Sequence, residues 1–270
     1  MYIDTHTHYA HRRFDNNRDT LLPYLHANGL EAAVEAAISI ETNKQMQETL
    51  GKYPWIYFSA GLHPTYITED AGSDECWERE IREALEHERI VAVGEAGLDY
   101  HRLCWETEAD AETSRRIIER QKLWFHKLIQ IAREKKLPLI IHTRELHEET
   151  IEILRQYSWG ENSGVIHCFH GAQEYAESYI DMGFVLGIGG KATYDTQAET
   201  REVLKNISIK NIIVETDCPF LLPVGCEEKP NHSENIPVIA EMVARQQGIT
   251  VAEVLEQTRL RAIELFGIRM

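Results

Sequence analysis

At 270 residues, with 28 Lys+Arg against 44 Asp+Glu, the chain has a formal net charge of −16. Such a field repels polyanions over most of the surface and argues against a protein that coats or slides along nucleic acid. It leaves open an enzyme that draws a phosphate group into a cation-loaded pocket, because bound metals reverse the local sign. Hydrophobic residues make up 43%, enough for a large core, and α/β barrels of this length fold as one domain over residues 1–270.

No apolar run is long enough to span a bilayer. Asp4, His6 and His8 interrupt the N-terminus where an apolar secretion signal would lie. Five cysteines, with no Cys-x-x-Cys pair, read as reduced thiols. A cytoplasmic protein follows, with no membrane association and no evident obligate protein partner.

A short β-rich run ending in polar residues, followed by an amphipathic helical stretch, recurs along the chain. The first run is Tyr2–Thr5, leading past Asp-x-His-x-His to a helix near Asp19–Ala27 that stops at Asn28-Gly29. The second is Ala32–Ser39, with a helix over Thr42–Leu50. The third, Trp55–Ala60, ends in Gly61-Leu62-His63-Pro64 before an acidic helix over Asp74–Glu88. The fourth, Ile90–Val93, ends in Gly94-Glu95-Ala96-Gly97-Leu98-Asp99-Tyr100.

A long helix follows over Glu112–Lys135, with Ile117, Trp124, Leu128 and Ile131 forming an apolar stripe. The fifth run, Leu137–Ile141, ends in His142-Thr143-Arg144 and precedes a helix over Leu146–Gln156. The sixth, Val165–Ile166, ends in His167-Cys168-Phe169-His170-Gly171, with a helix near Gln173–Met182. The seventh, Phe184–Ile188, ends in Gly189-Gly190-Lys191, with a helix near Thr200–Lys205. The eighth, Ile212–Val214, ends in Glu215-Thr216-Asp217-Cys218-Pro219. Beyond a Pro-rich loop through Asn231, two extra C-terminal helices are predicted. Asn235 ahead of Pro237 starts one; Thr250-x-x-Glu253 is a capping box for the other, which Gly267 closes.

Eight β/α units predict a (β/α)8 TIM barrel, a fold whose sites sit at the C-terminal ends of the strands. His6, His8, His63, Glu95, His142, His167 and Asp217 all fall at predicted strand ends, so the fold brings them to one rim. The other histidines, such as His26, His87 and His126, fall mostly in predicted helices or loops and read as structural.

Residues two apart on a strand share a face, so Asp4, His6 and His8 point together, and two imidazoles there can close on one divalent cation. Four imidazoles plus two carboxylates exceed one tetrahedral zinc but suit a pair of divalent ions. In this reading His6 and His8 serve one metal, His142 and His167 the other, and Glu95 bridges them. Asp217 ligates beside His6 and His8, or accepts a proton from bound water. Paired metals lower the pKa of a shared water and clamp the attacking and leaving oxygens of a phosphoryl transfer. Glu95 and Asp217 are thus the catalytic candidates. The identity of the metals, Mg, Mn or Zn, is open.

These motifs, from Asp4-x-His6-x-His8 through Glu215-Thr216-Asp217-x-Pro219, resemble the TatD family of metal-dependent hydrolases in order and spacing from Tyr2 to about Phe266. The resemblance implies a TIM barrel, two divalent metals and phosphodiester hydrolysis, often as a deoxyribonuclease. It also implies metal roles for His6, His8, Glu95, His142, His167 and Asp217. The substrate is then a nucleic-acid end or a small phosphodiester.

Further candidates surround this set. His63 either orients phosphate or supplies a proton, or is structural. Arg144 pairs with phosphate or with a carboxylate such as Glu145. Asp4 is read as holding an imidazole tautomer. Lys191 aims at substrate phosphate or faces water. Tyr100 and Trp105 stack a base or pack the mouth, while Cys168 and Cys218 read as small buried hydrophobes. Two other functions are weighed. One is an amidohydrolase cleaving a small amide, lactone or ester, although many such barrels carry a bridging lysine where this chain has Glu95. The other is a barrel kept as a binding module, which predicts a broken ligand set.

Overall fold

The computed structural model describes residues 1–68, 73–101, 110–227 and 230–269. Eight strands run as β1 (Tyr2–Thr7), β2 (Leu30–Glu35), β3 (Ile56–Ala60), β4 (Ile90–Leu98), β5 (Leu139–Thr143), β6 (Gly164–Ile166), β7 (Phe184–Ile188) and β8 (Ile212–Val214). Each pairs in parallel with the next, in chain order from β1 to β8. The ring is brought nearly to closure just past the strand ends, where Thr7 bridges to Cys218 and the Asp217 N–H donates to the His6 carbonyl (3.0 Å).

Between the strands lie α1 (Arg18–Ala27), α2 (Ile40–Leu50), α3 (Asp74–Ala84), α4 (Ala111–Lys135), α5 (His147–Leu154), α6 (Gln173–Asp181) and α7 (Ala198–Asn206). The extra C-terminal helices are α8 (Ile236–Gln247) and α9 (Val251–Phe266). The fold is the expected (β/α)8 TIM barrel. Local chemistry sets the helix ends. Ser39 and Thr42 form a capping box at α2, Thr250 and Glu253 another at α9, and Gly267, at φ 60°, closes α9.

Several strand boundaries differ from the sequence reading, β5 among them, which runs over Leu139–Thr143. β1 runs on to Thr7, and β2 starts at Leu30 but stops at Glu35, leaving 36–39 as the approach to α2. β4 continues to Leu98, so Glu95 lies within the strand instead of ending it. The ladder to β5 slips after Val93 and resumes at Ala96 opposite Ile141. A side chain at Gly94 (φ 149°) would come within 2.5 Å of the Ile140 carbonyl oxygen, so only glycine lets the two backbones pass here. Glycines that read as a stop signal therefore serve a bulge that re-aims Glu95.

Two apolar clusters build the core. The larger lies between strands and helices and includes Phe58, Trp124, Leu128, Tyr179 and Phe184. The smaller joins Ile3, Val34, Val91, Ile140, Val165, Val185 and Ile213 with partly buried Tyr57. All eight strands contribute to this second cluster, which places it inside the ring. Ala262, Leu265 and Phe266 of α9 belong to it too, so the C-terminal helix plugs the end of the barrel opposite the site.

His147 ties α5 to its neighbours. Its Nε2 donates to the His170 carbonyl (2.7 Å), and its Nδ1 lies 3.1 Å from the Tyr179 hydroxyl. Burial, only partly offset by the carbonyl hydrogen bond, lowers its pKa from 6.5 to about 4. Between those values the unfolded chain binds more protons than the folded one. The contribution of the neutral ring is therefore complete above pH 6.5 and is lost as the pH falls towards 4, by up to about 3 kcal/mol. In urea melts, the stability gap between wild type and His147→Gln should narrow by about that amount from pH 6.5 to 4; parallel curves would contradict this account.

Candidate metal centre

The rim residues converge. His6 Nε2 and His8 Nε2 lie 3.2 Å apart, at the C-terminal end of β1. His8 Nδ1 donates to the Ala36 carbonyl (3.1 Å), which leaves its Nε2 lone pair facing the centre. Asp217 Oδ1 is 3.2 Å from His8 Nε2 and 3.9 Å from His6 Nε2. Glu95 sends one oxygen each way. Its Oε2 is 3.6 Å from His6 Nε2, and its Oε1 is 3.7 Å from His142 Nδ1 and 3.9 Å from His63 Nε2. His167 completes the ring, its Nε2 3.9 Å from Asp217 Oδ2 and its imidazole stacked on His6 at 3.5 Å.

Three overlapping sets could therefore hold a metal: His6, Glu95 and His167; His6, His8 and Asp217; and His63, Glu95 and His142. The surroundings fit such a cation. Glu95, Asp99 and Glu215 are buried and Asp217 is nearly so. Among the described residues, no lysine or arginine lies within ion-pair distance of these four. Burial opposes protonation of His8 and His167. Asp217 nonetheless pushes His8 up to about 9, and Glu215 pushes His167 up to about 10. Burial would raise the Glu95 carboxyl, but His6 and His63 hold it well below the usual range. The pocket thus demands positive charge, and divalent ions supply it while leaving the imidazoles neutral.

Two buried carboxylates fix ring orientation from behind. Asp99 Oδ2 lies 3.1 Å from His142 Nε2, and Gln121 holds the Asp99 backbone at both its N–H and its carbonyl. Glu215 Oε1 lies 2.7 Å from His167 Nδ1, off the line of a good hydrogen bond, and accepts from the Cys168 N–H at 2.6 Å. Glu35 accepts from Thr7 Oγ1 and from the Tyr9 and Ala10 N–H groups, which sets the turn carrying His8. The sequence reading gave these three no role. The pleat held a signal for one of them, since Glu215 stands two residues before Asp217.

Other expectations fare unevenly. His63 reaches the site. Its Nδ1 accepts from the Thr65 N–H (3.2 Å), so the neutral ring carries its proton on Nε2, facing Glu95. Burial and then His142 lower its pKa to about 3, which keeps the ring neutral. Asp4 touches no imidazole nitrogen; it accepts from Thr216 and Ser233 and joins β1 to the loops beyond β8. Arg144 is exposed and, among the described residues, pairs with neither Glu145 nor any other carboxylate. Tyr100 packs at the mouth and donates to Glu149 (2.9 Å). Cys218 is buried as expected, whereas Cys168 is only half-buried. Trp105 lies outside the described residues.

Comparison with known proteins gives the family. The family described as "TatD related DNase" matches residues 3–267. The chain belongs to the TatD family of metal-dependent hydrolases. It is 32% identical to "Uncharacterized metal-dependent hydrolase YabD" of Bacillus subtilis, over 99% of this chain and 100% of that one. It is 28% identical to "3'-5' ssDNA/RNA exonuclease TatD" of Escherichia fergusonii, over 95% of each. Among solved structures, the TatD homolog YjjV of Escherichia coli superposes with a TM-score of 0.85 at 25% identity, covering 99% of this chain and 98% of that one. Among the described residues, no helix is long and apolar enough to cross a membrane.

Gly187 makes room for the carboxylate behind His167. A Cβ there would meet Glu215 Oε2 at 2.3 Å. Gly187→Ala should cost about 1–3 kcal/mol in urea melts through overpacking. Much of that loss should vanish in a Glu215→Ala background, and an additive double mutant would refute the clash.

Proposed function

We propose that this TatD-family hydrolase is a two-metal phosphodiesterase acting on single-stranded nucleic-acid ends. The observation that carries the reading is Glu95, whose two oxygens face separate histidine sets. His6, His8 and Asp217 would hold one ion and His142 and His167 the other, with Glu95 shared, although the His167 ring here stacks on His6 and its centroid lies 6.4 Å from that of His142. Two such ions supply Lewis acidity and a water that ionises near neutral pH. A family match over residues 3–267 supports reading the chain as one domain, and the free thiols of Cys76, Cys168, Cys218 and Cys226 suit a reducing compartment such as the cytoplasm.

The remaining steps fall to the chain's own groups. Asp217, whose side chain is 15% exposed against 3% for Glu95, is the carboxylate placed to take the proton of the attacking water. His63 turns an N–H towards the centre and donates to a phosphate oxygen. Around this mouth stand Arg12, Arg13, Arg144 and Lys191, in the loops after β1, β5 and β7. None has a carboxylate partner among the described residues. These cations give an acidic protein a locally receptive rim for a polyanion, which favours phosphodiesters over neutral amides or lactones.

Chelated protein should leave single-stranded DNA intact, and Mn²⁺, Mg²⁺ or Zn²⁺ should restore degradation; a fully active chelated protein would overturn the reading. His142→Ala and Asp217→Ala should each lower turnover by about 100-fold or more while circular dichroism stays native. Glu215→Gln should weaken metal binding by about 10–100-fold through loss of the partner that orients His167. Arg144→Ala should raise KM with kcat unchanged.

A further inference from the structure

The turn after β8 presents an aromatic ring beside the metal-facing histidines. The Phe220 N–H donates to the Asp217 carbonyl (2.9 Å), and buried Asn231 donates to the Phe220 carbonyl (2.6 Å), so the turn is held at both ends. Phe220 is nevertheless 39% exposed, in a protein whose other large aromatics are mostly buried. Its ring centroid lies 6.1 Å from His8 and 5.5 Å from His11, both nearly perpendicular to it. Among the described residues, no ring stacks face to face on it. The Arg13 guanidinium sits 5.3 Å from its centroid, and Arg12 stands exposed next to it in sequence.

We infer that Phe220 is a stacking platform for the nucleobase adjoining the bound phosphate, with Arg12 and Arg13 meeting the neighbouring backbone phosphate. A purely packing role does not account for the arrangement. The ring is exposed, yet its turn is braced by a buried amide and abuts His8 of the candidate metal centre. Any base offers a π-face, so such a platform favours nucleotides over other phosphate esters without selecting sequence. With the Arg13 guanidinium over one face of the ring, a base stacks on the other, and the cation supplies the charge that a following phosphate needs. The inference rests on the nuclease reading and gives that substrate its second point of attachment.

The test separates the two. Full-length protein is titrated calorimetrically with deoxyadenosine 5′-monophosphate and with 2-deoxyribose 5-phosphate, which share the phosphate and sugar and differ in the base. Wild type should bind the nucleotide at least about fivefold more tightly, the lower end of what base stacking provides. Phe220→Leu should abolish that preference, and Phe220→Trp should keep it. Equal binding of the two ligands by wild type, or a preference that survives in Phe220→Leu, would overturn the platform. Neither result depends on turnover, so a failure of metal-restored DNA degradation would count against the nuclease reading alone.

Discussion

Asp4 is wholly buried where β1 meets the loops beyond β8, and it accepts from the Thr216 N–H (2.9 Å), Thr216 Oγ1 (2.6 Å) and Ser233 Oγ (2.7 Å). β8 is only three residues long, and the closing seam with β1 has a single isolated bridge. Ladder hydrogen bonds are therefore few where the ring must join. Asp4, helped by Thr5 Oγ1 donating to the Val214 carbonyl (3.0 Å), does by side chain what the backbone does elsewhere. Burial raises the Asp4 carboxyl to about 7 even against these hydrogen bonds, so the cluster is sensitive to the loss of any one partner. Through this clamp a residue at position 217 comes to lie against one at position 8.

Charge is distributed unevenly for the same reason. A formal net charge of −16 would seem hostile to a nucleic-acid substrate. Many surface cations are paired locally, as in Lys122 with Glu149 or Arg120 with Asp74. Those on the loops after β1, β5 and β7 have no carboxylate partner among the described residues, so what the protein shows to solvent at its mouth differs from its average. Beneath them the buried carboxylates of β4 and β8 concentrate negative charge that divalent ions would balance. Under the proposed function, divalent ions in that inner layer would make the mouth more attractive to phosphate, so substrate affinity would depend on metal loading without any moving part.

Much of this was legible before any coordinates. Short β-rich runs alternating with amphipathic helical stretches read as eight units, and that count alone sends His6, Glu95, His142, His167 and Asp217 to one end. What stayed hidden was whatever depends on backbone irregularity. Gly94 breaks the ladder inside β4, and propensity reads a glycine followed by a charged residue as a strand end. The supporting carboxylates were hidden for another reason: Asp99 and Glu215 act on rings 43 and 48 positions away along the chain, and only closed barrel geometry brings them together. Shared strand parity with His6 points Asp4 at an imidazole. Its carboxylate reaches the seam instead.

The partners behind the imidazoles separate roles that residue type alone cannot. Behind His8, His142 and His167 stand acceptors: the Ala36 carbonyl, Asp99 and Glu215. An acceptor captures the ring proton on the far nitrogen and turns a lone pair inward, as a cation requires. Behind His63 stands a donor, the Thr65 N–H, which forces the proton to the inner nitrogen. A ring so arranged offers hydrogen to an anion, and would join the set of His63, Glu95 and His142 on a metal only after moving that proton. Of the five rim histidines, three thus have an acceptor behind them and His63 a donor, while the His6 Nδ1 is buried with no hydrogen-bond partner among the described residues. The division follows from local backbone geometry: the short 3-10 turn Pro64–Tyr66 presents an N–H where the β2 exit presents a carbonyl.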